Sequence, residues 1–235
     1  MGELERNIAI VGGGRLGSLL ARALHTAAPP LGRGADARGS AVVLLCVPDS
    51  ELESAAAALA PGALVGHCSG VASLAPLAPH ESFSLHPLMT VPAGASPAVL
   101  AGAGCAVAGR TPRALEQVRL LAGELGMRAT TVADADRAAY HAAASMASNF
   151  LITLEAAAER VAATAGVPRE LLTPLVRASV ENWAALGPEA SLTGPIARGD
   201  AETVERHRSA LAERTPDLLE LYDALADATR ALVAA

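Results

Sequence analysis

Asn7-Ile8-Ala9-Ile10-Val11-Gly12-Gly13-Gly14-Arg15-Leu16-Gly17 is the stretch on which the fold turns. Asn7 to Val11 is a short apolar run closed by glycines, the pattern of a buried strand. Gly12, Gly14 and Gly17 satisfy G-x-G-x-x-G at the point where a strand hands over to a helix. In such a turn the first glycine permits the tight bend, the second lets a pyrophosphate approach the backbone, and the third packs helix on strand. The free N–H groups at the start of the helix then favour an anion. The stretch therefore predicts a dinucleotide site at Gly12, Gly14, Arg15, Leu16 and Gly17. The competing reading is a glycine turn that only closes the fold.

Outward from this turn, strand and helix signals alternate. Leu16 to Ala28 has helical apolar spacing and stops at Pro29-Pro30; the Gly- and Arg-rich run to Ser40 reads as loop. Ala41 to Val47 (AVVLLCV) is a second buried strand, after which Ser50 and Glu53 are spaced as a capping box. Further strands are expected at Ala63 to His67, Ser82 to Leu85, Cys105 to Ala108 and Arg128 to Val132, with a helix starting near Pro112. This alternation predicts an α/β domain of Rossmann type with a mainly parallel sheet. After Val132 the pattern is helical throughout: one long helix from Asp134 to Ala165, then Arg169 to Leu186, Ala201 to Arg214 and Pro216 to Val233. The expected division is a dinucleotide-binding domain over 1–133 and an all-helical substrate and dimerisation domain over 134–235.

Composition narrows the chemistry. The 235 residues are 51% hydrophobic but only 2% aromatic, so Ala, Val and Leu must pack the core. The net charge of -6 with scattered charges disfavours a nucleic-acid partner. All 18 basic residues are Arg. A Schiff-base lysine, a Walker-type lysine and a Tyr-x-x-x-Lys pair are thereby excluded. Cys46, Cys68 and Cys105 are far apart in sequence without metal or redox spacing, and read as buried thiols. Met1 to Arg6 lacks the layout of a signal peptide, and Pro and Gly interrupt the charge-free stretches, so a cytoplasmic protein without membrane contact is expected.

The adenosine side is unusual. About twenty residues beyond the glycines, where an acidic residue normally meets the ribose, the chain offers Asp36 inside the loop. Either AVVLLCV is the second strand and Asp49 the ribose ligand, or the second strand region is shortened and AVVLLCV flanks the first strand on its other side. The Val47-Pro48-Asp49 ending favours the latter, because it resembles the segment that passes near the cofactor in many reductases. Arg33 and Arg38 are then either grips for a 2′-phosphate or solvated loop residues.

Taken with Val47-Pro48-Asp49, His67-Cys68-Ser69-Gly70, Leu85-His86-Pro87-Leu88, Tyr140-His141, Ser148-Asn149 and Leu192 to Asp200, the glycine turn resembles a specific family. The match is to Rossmann-like oxidoreductases whose C-terminal half is a domain of unknown function, distant relatives of ketopantoate reductase, pyrroline-carboxylate reductase and phosphogluconate dehydrogenase. The resemblance implies NADP rather than NAD, a helical domain that completes the active site, and a homodimer. It places Val47, Pro48, Asp49 and Ser69 near the cofactor. The chain departs from the pattern in the short Gly17 to Ser40 region and in having no lysine.

Ligands in open α/β sheets sit beyond the C-terminal strand ends, where His67, Ser69 and His86 are expected. On the long helix, His141, Ser145, Ser148 and Asn149 share one face at about 100° per residue, a polar stripe that is costly to bury unless it meets a cavity or partners. His86 or His141 is the candidate proton donor, since histidine titrates near neutrality, and Asn149 the residue orienting a carbonyl. The bland alternatives are a turn role for His86 and interdomain contacts for His141; His67 reads as structural. Ser145, Thr193, Arg198 and Asp200 are the candidate substrate-binding residues, Arg198 by bidentate grip of a carboxylate unless it merely pairs with Asp200. No metal is expected. The predicted function is NADPH-dependent reduction of a small carbonyl or imine, ketopantoate-like; the alternative is a non-catalytic dinucleotide or small-ligand sensor.

Overall fold

A computed structural model describes residues 7–234; the reading of Met1 to Arg6 lies outside them. Among the described residues, six strands form one sheet in sequence order. They are β1 (Ile8–Val11), β2 (Val42–Leu45), β3 (Leu64–His67), β4 (Ser82–Leu88), β5 (Gly104–Gly109) and β6 (Arg128–Thr131). All neighbours pair in parallel except β4 and β5. The chain is thus an α/β protein with the mainly parallel sheet its alternation predicts.

Period-2 alternation builds the two core layers. Val42 and Leu44 of β2 face a layer with Leu19 and Leu20 of α1 (Arg15–Ala23) and Val118 and Leu121 of α3 (Pro112–Glu124). Val43 and Leu45 face the opposite layer with Leu52 and Ala56 of α2 (Leu52–Ala57). Ser50 does not cap α2: residues Asp49–Glu51 form a 3₁₀ turn first, and no side chain caps the helix behind it.

The second strand is reduced to a single residue. Leu31 bridges Val11 in parallel, its N–H donating to the Ile10 carbonyl at 2.7 Å while the Gly12 N–H donates to the Leu31 carbonyl at 2.9 Å. Val11 pairs with Leu45 on its other side. AVVLLCV therefore flanks β1 opposite the vestigial strand, so Asp49 follows a strand other than the second.

β4 is longer than its apolar core suggests and contains His86 and Pro87 instead of ending before them. β3 pairs it only as far as Ser84. Beyond that point one edge is open, and a residue lacking an N–H is accommodated.

The chain divides into two compact units, Met1–Ser148 and Asn149–Ala235. No strand follows β6 among the described residues. The expected long helix is interrupted: a 3₁₀ turn (Asp134–Asp136), α4 (Arg137–Ser145), a π turn (Met146–Phe150) and α5 (Leu151–Thr164) follow one another. The second unit adds α6 (Arg169–Leu186), α7 (Pro188–Ser191), α8 (Ala201–Arg214) and α9 (Leu219–Val233). Among its described residues only Val204, Leu211, Thr215 and Ala226 are buried. No helix among the described residues is long and apolar enough to cross a membrane.

Candidate functional site

Each glycine of the turn has a distinct job. Gly12 holds φ +105°, and a Cβ there would lie 2.4 Å from the Cys46 carbonyl oxygen. A Cβ on Gly17 would come 1.9 Å from the Gly12 carbonyl oxygen, so this residue sets how closely α1 approaches β1. At Gly14 a Cβ would meet nothing within 4 Å. Gly14 is also the N-cap of α1 and supplies no side-chain hydrogen bond to its first N–H groups. The turn is therefore tight where it folds and open where an anion would sit.

A cleft of about 410 Å³ starts at this turn, within the size range of small-ligand sites. Gly14, Arg15, Leu16, Val47, Asp49 and Ser69 line it, as do His86 and the unpredicted Cys46, Cys68 and Met89. Gly12, Gly17 and Pro48 shape the turn and strand end without lining the wall. Ser69 Oγ donates to Asp49 at 2.8 Å and accepts from the Val71 and Ala72 N–H groups at 3.2 and 2.9 Å. Cys46 and Cys68 end adjacent parallel strands, and their sulfurs stand 3.7 Å apart. The neighbouring Cys46 sulfur, together with burial, holds the Cys68 thiol well above its ordinary range.

Beyond the end of β3, His86 faces α4. Its Nδ1 is 2.7 Å from the Tyr140 hydroxyl, and the other ring edge lies toward Gly70, where a Cβ would stand 3.0 Å from Nε2. Burial pulls the pKa of His86 down to about 4, with the charges of His141, Arg137 and His67 acting the same way and Asp49 opposing. Burial pushes Tyr140 up to about 12, with Arg137 opposing. His141 is exposed, its ring centroid 6.0 Å from that of His86. His67 is fully buried off the cleft: its Nδ1 accepts from the Ser69 N–H at 3.1 Å, so its Nε2 donates to the Ser73 carbonyl at 3.2 Å. Both ring nitrogens are used, which makes His67 structural.

Residues 103–229 match the family described as a domain of unknown function, DUF2520. The chain belongs to that family. Solved structures share its fold. A Thermotoga maritima protein is 24% identical over 96% of this chain and 98% of its own, with a TM-score of 0.80. A Bacteroides fragilis protein described as a candidate NADP oxidoreductase is 18% identical over 95% and 97%, also at 0.80. Plasmodium falciparum pyrroline carboxylate reductase, solved with NADP bound, is 13% identical over 98% and 100%, at 0.63. No curated protein matches the sequence.

Other predicted positions of this DUF2520 protein fall elsewhere. Ser145 is half-buried at the end of α4, and Asn149 is exposed inside the π turn. There i→i+5 bonding widens the helix, so the 100° step that put Ser148 and Asn149 on the face of His141 does not apply. Thr193 and Arg198 are exposed in the second unit, before α8. Asp200 caps α8 by accepting from the Thr203 N–H at 3.0 Å, which holds its carboxyl below the usual range. The Arg198–Asp200 pair is not among the ion pairs of the described residues. On the adenosine side, Arg33 pairs with Glu51 at 2.8 Å and Arg38 with Asp36 at 3.4 Å. No cluster of three or more His, Cys, Asp or Glu among the described residues is arranged for a metal. Tyr140 entered the sequence reading only through the Tyr140-His141 motif, without a role, and Arg137 not at all, although their i,i+3 spacing on a helix was available as a signal.

Proposed function

We propose that this DUF2520 protein is an NADPH-dependent reductase of a small carbonyl or imine compound carrying a carboxylate, with ketopantoate as the first candidate. The observation that carries the reading is a single cleft running from a glycine turn with open space over Gly14 to a histidine with one ring nitrogen uncommitted. The residues fit a dinucleotide: the start of α1 would take the pyrophosphate, and Val47, Asp49 and Ser69 would flank the nicotinamide half. When bound, a reduced nicotinamide supplies hydride. His86 then gives a proton to the oxygen or nitrogen that gains negative charge, while His141 and the helical residues Ser145 and Asn149 are the candidates to orient the substrate. Thr193, Arg198 and Asp200 remain candidates for its carboxylate, Arg198 first, because Asp200 already serves as a cap.

The one-residue second strand favours a second reading, a dinucleotide or small-ligand sensor without turnover. In either reading Arg33 and Arg38, paired with Glu51 and Asp36, are the candidates for a 2′-phosphate, and NADP is proposed over NAD. We also propose a homodimer built on the helical unit. Titration of nucleotide-free protein with NADPH and then NADH, read by cofactor fluorescence, tests the function. Micromolar NADPH binding followed by oxidation with a keto acid or imine supports the reductase. Binding without turnover favours a dinucleotide sensor, and no binding of either up to millimolar excludes the reductase and leaves a small-ligand sensor.

A further inference from the structure

Two rungs join α4 to β4. Arg137 and Tyr140, spaced i,i+3, face Ser84 and His86, spaced i,i+2, so one helix face meets one strand face. In the first rung Arg137 Nη2 donates to Ser84 Oγ, and Nε donates to Asp134 at 2.9 Å. In the second, the Tyr140 hydroxyl and His86 Nδ1 are 2.7 Å apart. Arg137 is 1% exposed, and its Nη1 has no hydrogen-bond partner among the described residues. Its one carboxylate partner, Asp134, is half in solvent. An incompletely compensated guanidinium thus sits behind the histidine.

The charge pattern fixes which atom holds which proton. The groups facing His86 are Arg137, His141, His67, Asp49 and Tyr140. Only Asp49 favours an imidazolium, so the ring is neutral at pH 7 and carries one N–H. With the Tyr140 hydroxyl donating to Nδ1, its one acceptor among the described residues, the proton of the ring is on Nε2, on the side of Gly70 and the cleft.

A neutral imidazole N–H is a feeble acid unless its other nitrogen gains a proton as it leaves. We propose that Tyr140, His86 and Arg137 form a proton relay: His86 Nε2 releases its proton to the substrate, Tyr140 passes its hydroxyl proton to Nδ1, and Arg137 stabilises the phenolate that remains. The electron pair of the former N–H bond stays on the ring, which ends neutral with its proton on Nδ1, and solvent later reprotonates Tyr140. An alkoxide or amide anion is a much stronger base than a phenolate, so the transfer runs downhill. Tyr140 and Arg137 are positioning residues acting through His86. The relay rests on the reductase reading for its substrate, but not for the proton arrangement of the resting site.

The test is ¹⁵N-histidine NMR of the nucleotide-free full chain, whose six histidines are assigned with single His→Gln variants. The expected spectrum has His86 neutral at pH 7 with the proton on Nε2. In Tyr140→Phe the tautomer preference is lost and the titration midpoint rises. A proton on Nδ1, an imidazolium at pH 7, or an unchanged tautomer in Tyr140→Phe overturns the relay; the parent spectrum decides even if the variant misfolds. Arg137→Met should raise the His86 midpoint, and Ser84→Ala, which removes one of its bonds, should do so less. An unchanged midpoint in both removes Arg137. With ketopantoate and 1-pyrroline as probes, Tyr140→Phe should lower kcat about 100-fold at unchanged NADPH affinity. NADPH that does not bind, beside an Nε2-protonated His86, sinks the reductase and leaves the relay geometry. Turnover undiminished in Tyr140→Phe does the reverse.

Discussion

At the scale of single residues, the glycine turn separates folding from binding. Gly17→Ala forces a Cβ into the Gly12 carbonyl, a backbone clash that cannot relax by rotamer change, and should cost about 3 kcal/mol in urea unfolding. Gly14→Ala adds a methyl group to open space and should leave stability within about 0.5 kcal/mol. Under the dinucleotide reading it should nevertheless weaken NADPH roughly tenfold by blocking the pyrophosphate's approach. Equal NADPH affinity in Gly14→Ala and the parent would refute that use of the turn. His67 gives the pH dependence. Burial lowers its pKa from 6.5 to about 4, so between these values the unfolded chain binds a proton that the folded one does not. Stability must then fall as pH drops through this window, by about 3 kcal/mol from His67 and by a like amount from His86, which is lowered to the same value. His67→Gln should remove about half of that slope; an unchanged slope would mean other groups carry it. These roles were legible unevenly. G-x-G-x-x-G announces its three glycines because the spacing encodes backbone geometry. Nothing local announces that His67 spends both nitrogens on the backbone while His86 commits one, to the Tyr140 hydroxyl.

At the scale of elements, what the sequence conveys is periodicity, and what it conceals is pairing. Uninterrupted apolar runs closed by glycine, proline or loop mark β1, β2, β3 and β5, and the missing strand signal over Gly17 to Ser40 correctly marks the shortened region. That Leu31 alone takes the place of the second strand depends on two hydrogen bonds from distant backbone, which no local pattern encodes. The same is true of the π turn, which looks like continuous helix in sequence. Leu31 carries a prediction. The residue following a second strand is placed to meet the ribose, and here Gly32 and Arg33 follow it. Under the NADPH reading, Arg33→Ala should weaken NADPH by about 1.5 kcal/mol, roughly tenfold, while NADH binding is unchanged. Isothermal titration of both cofactors decides it, and a parallel loss for the two would show that Arg33 does not read the 2′-phosphate.

At the scale of the molecule, the two units differ in how they satisfy their apolar residues. The sheet unit buries its Leu and Val in two layers, whereas α5 and α6 bury none of their residues. On α6, Leu171, Leu175, Trp183 and Leu186 are each about 60% exposed or more. At 100° per residue their positions fall within an arc of about 120°, one continuous face. A chain that leaves four such side chains in water forgoes about 1.5–3 kcal/mol for each one it could cover, and a second copy of the same face is the self-complementary solution available to a symmetric dimer. Sedimentation equilibrium should therefore give twice the chain mass of 23.6 kDa. Leu175→Glu, which puts a charge at the centre of that face, should return it to a monomer. Trp183 is the chain's only tryptophan, so its emission reports on this face alone and should shift to the red as the dimer dissociates. A parent that sediments at the single-chain mass, with Trp183 already emitting as if in water, would leave α6 uncovered and rule out the dimer.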